Sequence, residues 1–196
     1  RGESQNGPAR PRARRETPRS GFRRSVNVAF DVVDGGVGGR YVVTGCVQRT
    51  LERVLGAIVD DHGARAWTLT GPYGTGKSSF ALFLASVLGG DRMASHGSLV
   101  AALRKSAPDL GRQLARVTRG GRDFLPVLVS GAREPLTDAL VRASRAALER
   151  CQSRAARDLL RRLPNAGQRT ATIDPVALLA SIHECVVKNE KGCAGT

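Results

Sequence analysis

The stretch on which the expected fold depends is Thr68–Ser79, which reads TLTGPYGTGKSS. It fits the pattern G-x-x-x-x-G-K-[ST] without a mismatch, through Gly71, Gly76, Lys77 and Ser78. Glycines at this spacing allow a tight turn in which successive backbone N–H groups point inward at an anion. We therefore predict that this loop binds phosphate.

Both flanks of the loop agree with that prediction. Upstream, Ala66–Thr70 is a short apolar and β-branched run that suits a buried parallel strand. Downstream, Phe80–Leu88 is an apolar helical pattern, which Gly89 and Gly90 close. A strand, a glycine loop and a helix in this order are the context in which a phosphate loop is expected.

The chemistry of the loop assigns a role to each class of residue. Lys77 is the candidate catalytic residue, because its ammonium group can reach the β- and γ-phosphates of a nucleotide, and the Ser78 hydroxyl can ligate Mg²⁺. The predicted cofactors are therefore ATP and Mg²⁺. The chain has no N-K-x-D or T-K-x-D motif for reading guanine, which disfavours a GTPase. The complete predicted cofactor-binding set is Gly71, Pro72, Tyr73, Gly74, Thr75, Gly76, Lys77, Ser78 and Ser79.

Composition bounds the remaining possibilities. The chain has 196 residues, 41% hydrophobic and 24% charged, which suits one α/β domain with a sizeable core. No apolar run approaches the roughly 20 residues that span a bilayer, and the N-terminus lacks an apolar signal core. We expect a cytoplasmic protein without membrane contact. The four cysteines show no C-x-x-C spacing, which favours reduced structural thiols over a zinc site.

The formal net charge of +14 favours polyanionic partners. Most of the basic residues are arginine, however, and such a bias is also typical of a GC-rich genome. Residues 1–24 carry eight arginines and are expected to form a disordered tail that could contact nucleic acid. A second candidate contact is a helical stripe, with a solvated surface as the alternative interpretation. The stripe comprises Arg150, Arg154, Arg157 and Arg161.

Residues 25–63 are predicted to be a lead-in of strand candidates at Ser25–Val33 and Tyr41–Val43, followed by a helix over Thr44–Val59. Residues 64–196 form the predicted nucleotide-binding domain, whose second core strand is Phe124–Val129. One short helix is expected around residues 99–103, and another, marked by Leu110, Leu114 and Val117, is expected to begin near Pro108 and Asp109. One long helix or two consecutive helices are expected over Leu136–Leu163, and a final helix from Asp174 and Pro175 to Gly192.

After the second core strand, Ser130, Arg133 and Glu134 could face the nucleotide, although Glu134 suits the start of the next helix better. A nucleotide hydrolase of this type also needs an acidic residue at the end of another apolar strand to hold Mg²⁺. No apolar run after Ser79 ends in Asp or Asp-Glu. The sequence therefore predicts a domain truncated before that strand, binding ATP but turning it over poorly.

The stretch RAWTLTGPYGTGKSSFALFLASVL (Arg65–Leu88) resembles the P-loop, or Walker A motif, of AAA-type ATPases among large bacterial phage-defence proteins. RYVVTG, LPVLVSGAREPL and DPVALLASIHECV resemble the same group. The resemblance implies an α/β P-loop NTPase fold, a mainly parallel sheet flanked by helices, incomplete at its C-terminus. It further implies the N-terminal part of an ATPase that acts in phage defence or DNA transactions, as an oligomer or a monomer. The alternatives are a nucleic-acid-binding module with a nucleotide switch and a nucleotide kinase.

Overall fold

The computed structural model describes residues 26, 28–31, 41–60, 63–119, 124–131, 133–151, 153–164 and 174–192. The predicted tail at 1–24 and part of the strand candidate at 25–33 lie outside these ranges. The described residues form eight α-helices and a 3₁₀ turn at Gly90–Arg92. The helices are α1 (Val28–Asp31), α2 (Gly45–Val59), α3 (Lys77–Leu88), α4 (His96–Ser106), α5 (Pro108–Val117), α6 (Leu136–Glu149), α7 (Arg154–Arg162) and α8 (Pro175–Gly192).

The predicted parallel sheet is wrong for the described part of the chain, which contains no strand. Ala66–Thr70 and Phe124–Val129 lie outside any helix but are not paired in a sheet, and Tyr41–Val43 is likewise unpaired. Part of Ser25–Val33 is the single-turn helix α1. Apolar, β-branched residues make a strand only where another segment supplies backbone partners about 4.8 Å away. The sequence pattern shows which residues favour a strand, but it does not show which segment would pair with them. It was therefore not sufficient to establish the α/β class.

The helix starts were predicted better, because their signals are local. The Thr44 hydroxyl accepts a hydrogen bond from the Val47 amide at 3.4 Å and begins α2 as its N-cap. The Asp174 carboxylate accepts from the Val176 amide at 2.9 Å, which confirms the predicted start of α8. The stretch 136–163 contains two helices, and Ser153 caps the second by accepting from the Ala156 amide at 3.0 Å.

Helix α3 is the most apolar of the multi-turn helices in the N-terminal part of the described fold. Most of its side chains from Phe80 to Leu88 are buried, on several faces of the helix, as expected for an apolar helix surrounded by protein. Phe83 is 1% exposed, and its ring stacks on Tyr41 with centroids 4.3 Å apart. Burial of a side chain of this size contributes about 1.5–3 kcal/mol. The helix that carries the predicted site is therefore fixed in position by the main core.

Two groups of helices make up the described fold. The N-terminal helical group, α1–α5, packs mainly around Leu51, Leu55, Phe83 and Leu103, all nearly or fully buried. The C-terminal helical group, α6–α8, has a smaller core of its own. In α8 that core receives Leu178 and Ile182, whereas the apolar side chains of Val176 and Leu179 are 73% and 47% exposed.

A connecting segment, residues 124–130, joins the two groups. The Phe124 amide donates to the Leu88 carbonyl oxygen, and its ring packs on the N-terminal core. Leu125 packs on the C-terminal core. Gly89 is required at the end of α3, because a Cβ there would lie 2.9 Å from the Pro126 ring and 2.6 Å from the Met93 side chain. The end of α3 and the connecting segment therefore approach closely.

Candidate phosphate site at the start of helix α3

The loop before α3 has the backbone that its glycines predict. Gly74 and Gly76 have φ values of 82° and 84°, in the left-handed region that L-residues with a Cβ seldom adopt, and Gly71 has a φ of 152°. No residue other than glycine has a positive φ in the described ranges. The turn into α3 therefore depends on glycine at these positions.

Gly76 is the N-cap of α3, and no side chain caps this end of the helix. Its carbonyl oxygen accepts the first helical hydrogen bond from the Phe80 amide at 2.8 Å. The amides of the first helical turn, from Lys77 onward, have no carbonyl four residues back to bond within the helix. These N–H groups and the helix dipole give the end of α3 a partial positive charge.

Lys77 adds a full charge at the same place. Its Nζ donates to the carbonyl oxygens of Gly71 at 2.9 Å and Pro72 at 2.7 Å, and to the Thr75 hydroxyl at 3.4 Å. The Thr75 hydroxyl in turn donates to the Pro72 carbonyl oxygen at 2.9 Å. The ammonium group therefore lies within the curve of its own loop, held by neutral acceptors that a phosphate oxygen could replace.

The other polar residues of the predicted site differ in their exposure. Ser78 is exposed in the first turn of α3, and Ser79 is half-buried. Tyr73 is 93% exposed at the tip of the loop. The loop thus brings Gly71, Pro72, Thr75 and Lys77 into direct contact, and Ser78 follows Lys77 in the first turn of α3.

The residues after the second predicted strand belong to another part of the fold. The Glu134 carboxylate forms a hydrogen-bonded ion pair with Arg142 of α6. Glu134 precedes α6 by two residues, in agreement with the interpretation that it belongs to the start of that helix. No group of three His, Cys, Asp or Glu side chains that could hold a metal occurs among the described residues.

The predicted arginine stripe is not continuous. Helix α6 ends at Glu149, and Arg150 is its C-cap, so Arg150 does not share a helix with Arg154, Arg157 and Arg161. The Arg150 guanidinium group donates to the Pro126 carbonyl oxygen at 3.0 Å and is half-buried. Burial lowers the pKa of Arg150, and the charge of Glu149 partly opposes this effect. Arg150 therefore anchors the connecting segment, and three exposed arginines of the predicted stripe remain on α7.

One feature near the loop was not predicted. The Arg53 guanidinium group of α2 lies over the Trp67 ring, 5.3 Å from its centroid, four residues before Gly71. The ring is 39% exposed, and it is the one tryptophan of the chain. Arg53 and Trp67 belong to different parts of the chain, and no local sequence pattern indicates a contact between them. It places a fluorescent reporter close to the candidate site.

None of the helices in the described part of the chain combines the length and apolar character needed to cross a bilayer. Comparisons with protein-family models, with curated proteins and with solved structures found no match to this chain.

Proposed function

We propose that this chain binds ATP with Mg²⁺ through Gly71–Ser79, as the nucleotide-binding part of a P-loop ATPase. The observation that carries this function is the position of Lys77 Nζ, 2.9 Å and 2.7 Å from two carbonyl oxygens of its own glycine loop, at the uncapped start of α3. This support comes from the loop and the helix alone, since the expected sheet is absent from the described residues.

A phosphate group fits this arrangement on three counts. The free amides of the first turn of α3 are donors, and the helix dipole favours a negative charge there. The Lys77 ammonium group would exchange neutral carbonyl acceptors for charged phosphate oxygens, which form shorter and stronger hydrogen bonds. The Ser78 hydroxyl would be a ligand for Mg²⁺, whose positive charge would help to neutralise the phosphates.

Binding and hydrolysis make different demands on the site. Lys77 can hold charge that develops on the terminal phosphate, but turnover also needs a carboxylate for Mg²⁺ and a group that positions water. Glu134 is engaged with Arg142. We therefore propose ATP binding as the activity of these residues and expect little hydrolysis by the 196-residue chain alone. In the cell, this function belongs to the cytoplasm, where ATP is abundant.

Thermal unfolding with and without ATP–Mg²⁺ tests the proposal. At 100 times Kd, ATP should stabilise the wild-type chain by about 2.7 kcal/mol, and Lys77→Ala should lose most of this stabilisation. Lys105→Ala is the matched control, because it removes the same charge from an exposed position on α4. Equal stabilisation of all three proteins would refute the site.

Titration followed by Trp67 fluorescence gives a second measurement of binding, because the ring lies four residues before the loop. Competition between ATP and GTP then tests the base preference. Since the chain lacks a guanine-reading motif, ATP should bind at least as tightly as GTP. A clear preference for GTP would contradict the assignment of the nucleotide, while leaving the phosphate site in place.

A further inference from the structure

The hairpin of α4 and α5 presents a basic face, defined here as Arg104, Arg112, Arg116 and Arg119. All four side chains are exposed. On α5, Arg112 and Arg116 follow the spacing of one helix face, and Arg119 lies in the turn directly after the helix. The opposite face, with Leu110, Leu114 and Val117, is 2–3% exposed and packs in the N-terminal core. The core therefore fixes the direction in which Arg112 and Arg116 point.

Arg104 joins the face from the neighbouring helix. Its side chain lies against Gly111, where a Cβ would come within 2.7 Å of the Arg104 Cγ. Arg104 and Ala115 also line the same small pocket. Because Gly111 and Ala115 are small, the stem of Arg104 can lie close to α5, the helix that carries Arg112 and Arg116.

The charge of this face is poorly balanced by its surroundings. Residues 90–119 contain six Arg and Lys residues but only two acidic ones, Asp91 and Asp109. Asp109 pairs with Arg112, but both side chains are largely exposed, at 88% and 70%. An exposed pair of this kind contributes little free energy, so a phosphate can replace the carboxylate.

The predicted stripe on α7 differs in this respect. Arg161 lies 3.7 Å from Asp158. A groove of about 460 Å³ between α7 and α8 is lined by Asp158, Asp174 and Glu184. Carboxylates beside the α7 arginines lower the positive potential there, whereas the α4–α5 basic face has fewer opposing charges. Charge complementarity therefore favours the latter as a contact for a polyanion.

The chemistry of the face selects the kind of polyanion. Residues 96–119 contain no Phe, Tyr or Trp, so the hairpin offers no aromatic platform for stacking the bases of a single strand. Its apolar residues are buried in the core and cannot enter a lipid bilayer, as those of an interfacial helix do. We propose that the α4–α5 basic face binds the phosphate backbone of double-stranded nucleic acid, without sequence preference.

Binding of a labelled DNA duplex to the full chain, measured by anisotropy over a range of salt concentrations, tests this inference. The variant R112Q/R116Q/R119Q should bind more weakly at low salt. Its slope of log Kobs against log salt concentration should be shallower than the wild-type slope by about 2.7, at ~0.9 for each lost phosphate contact. R154Q/R157Q/R161Q is the matched control, with the same change in charge on α7, and should keep the wild-type slope.

Several outcomes would overturn the proposal. They are undetectable wild-type binding at low salt, equal losses in both triple variants, and a loss confined to the α7 variant. Vesicles containing phosphatidylserine and an acidic polypeptide serve as competitors. If either displaces the duplex at equal charge concentration, the face is not selective for nucleic acid. Arg116→Glu, a single change at an exposed position, replaces the triple variant if that variant does not fold, and should also weaken binding. The ATP measurements are independent of these results.

Discussion

Replacing Gly76 by alanine isolates the contribution of the left-handed backbone at the start of α3. Gly76 has a φ of 84° and a ψ of 16°. A Cβ at this position would meet no atom within 4 Å outside its immediate neighbours. The substitution therefore adds no collision with the rest of the fold, and its cost comes from the backbone conformation itself.

The magnitude follows from two opposing effects. A left-handed conformation costs a residue with a Cβ about 1–2 kcal/mol. Alanine also restricts the unfolded chain, which favours folding by about 0.4–1 kcal/mol. The net loss in the free energy of unfolding should be about 1 kcal/mol. For a chain of this length, that corresponds to a fall in Tm of roughly 2–4 °C. Asparagine, which tolerates the left-handed region, should cost less than alanine.

Gly97→Ala provides the matched control. Gly97 is exposed in the first turn of α4, its φ is not positive, and a Cβ there would also meet nothing within 4 Å. Alanine at this position should therefore stabilise the fold by about 0.4–1 kcal/mol. Urea titration followed by Trp67 fluorescence measures all the variants. Stability of Gly76→Ala equal to or above wild type, alongside the expected gain for Gly97→Ala, would refute the left-handed turn.

Two further predictions concern stability. Burial, with a smaller contribution from Cys46, raises the pKa of Tyr41 to about 12, so the folded state holds its proton above the pH at which the unfolded chain loses it. The free energy of unfolding should therefore fall as pH rises from about 10 to 12. Measured over the same pH range, Tyr41→Phe should lack this part of the fall, and a pH profile identical to that of the wild type would contradict the raised pKa. Ser144 is fully buried, and its hydroxyl has no hydrogen-bond partner in the structure, so Ser144→Ala should leave stability unchanged or raise it by up to about 1 kcal/mol. Ser86 is equally buried but accepts from the Ser95 hydroxyl at 3.3 Å, so in urea titrations Ser86→Ala should be the more destabilising of the two; the reverse order would show that the Ser144 hydroxyl is satisfied.

The sequence was a good guide where the physical signal is local. Thr44 and Asp174 act as caps because a side-chain oxygen can reach an amide two or three residues ahead without help from the rest of the chain. The glycines of the loop have the positive φ values that their spacing implies, because the motif specifies backbone geometry over a few residues.

Features that depend on distant partners were predicted poorly. A strand at Ala66–Thr70 requires a neighbouring strand, which the local sequence pattern does not identify. In the described part of the chain this segment is unpaired and exposed. Arg150 has helical spacing from Arg154, but the break between α6 and α7 directs it to Pro126, 24 residues earlier. The α4–α5 basic face was not predicted, because its exposure depends on which sides of the two helices the core covers.

The connecting segment at 124–130 has a consequence for cooperativity. Extensive helix contacts occur within α1–α5 and within α6–α8, while the segment touches both cores through Phe124 and Leu125. Each group can then behave as a separate foldon, with its own free energy of opening. Native-state hydrogen exchange should show lower protection in α7 than in α3. Trp67 fluorescence would report the unfolding of the N-terminal foldon alone. The hydrogen bond from Arg150 to Pro126 couples the two groups, so it would determine how closely their unfolding transitions coincide.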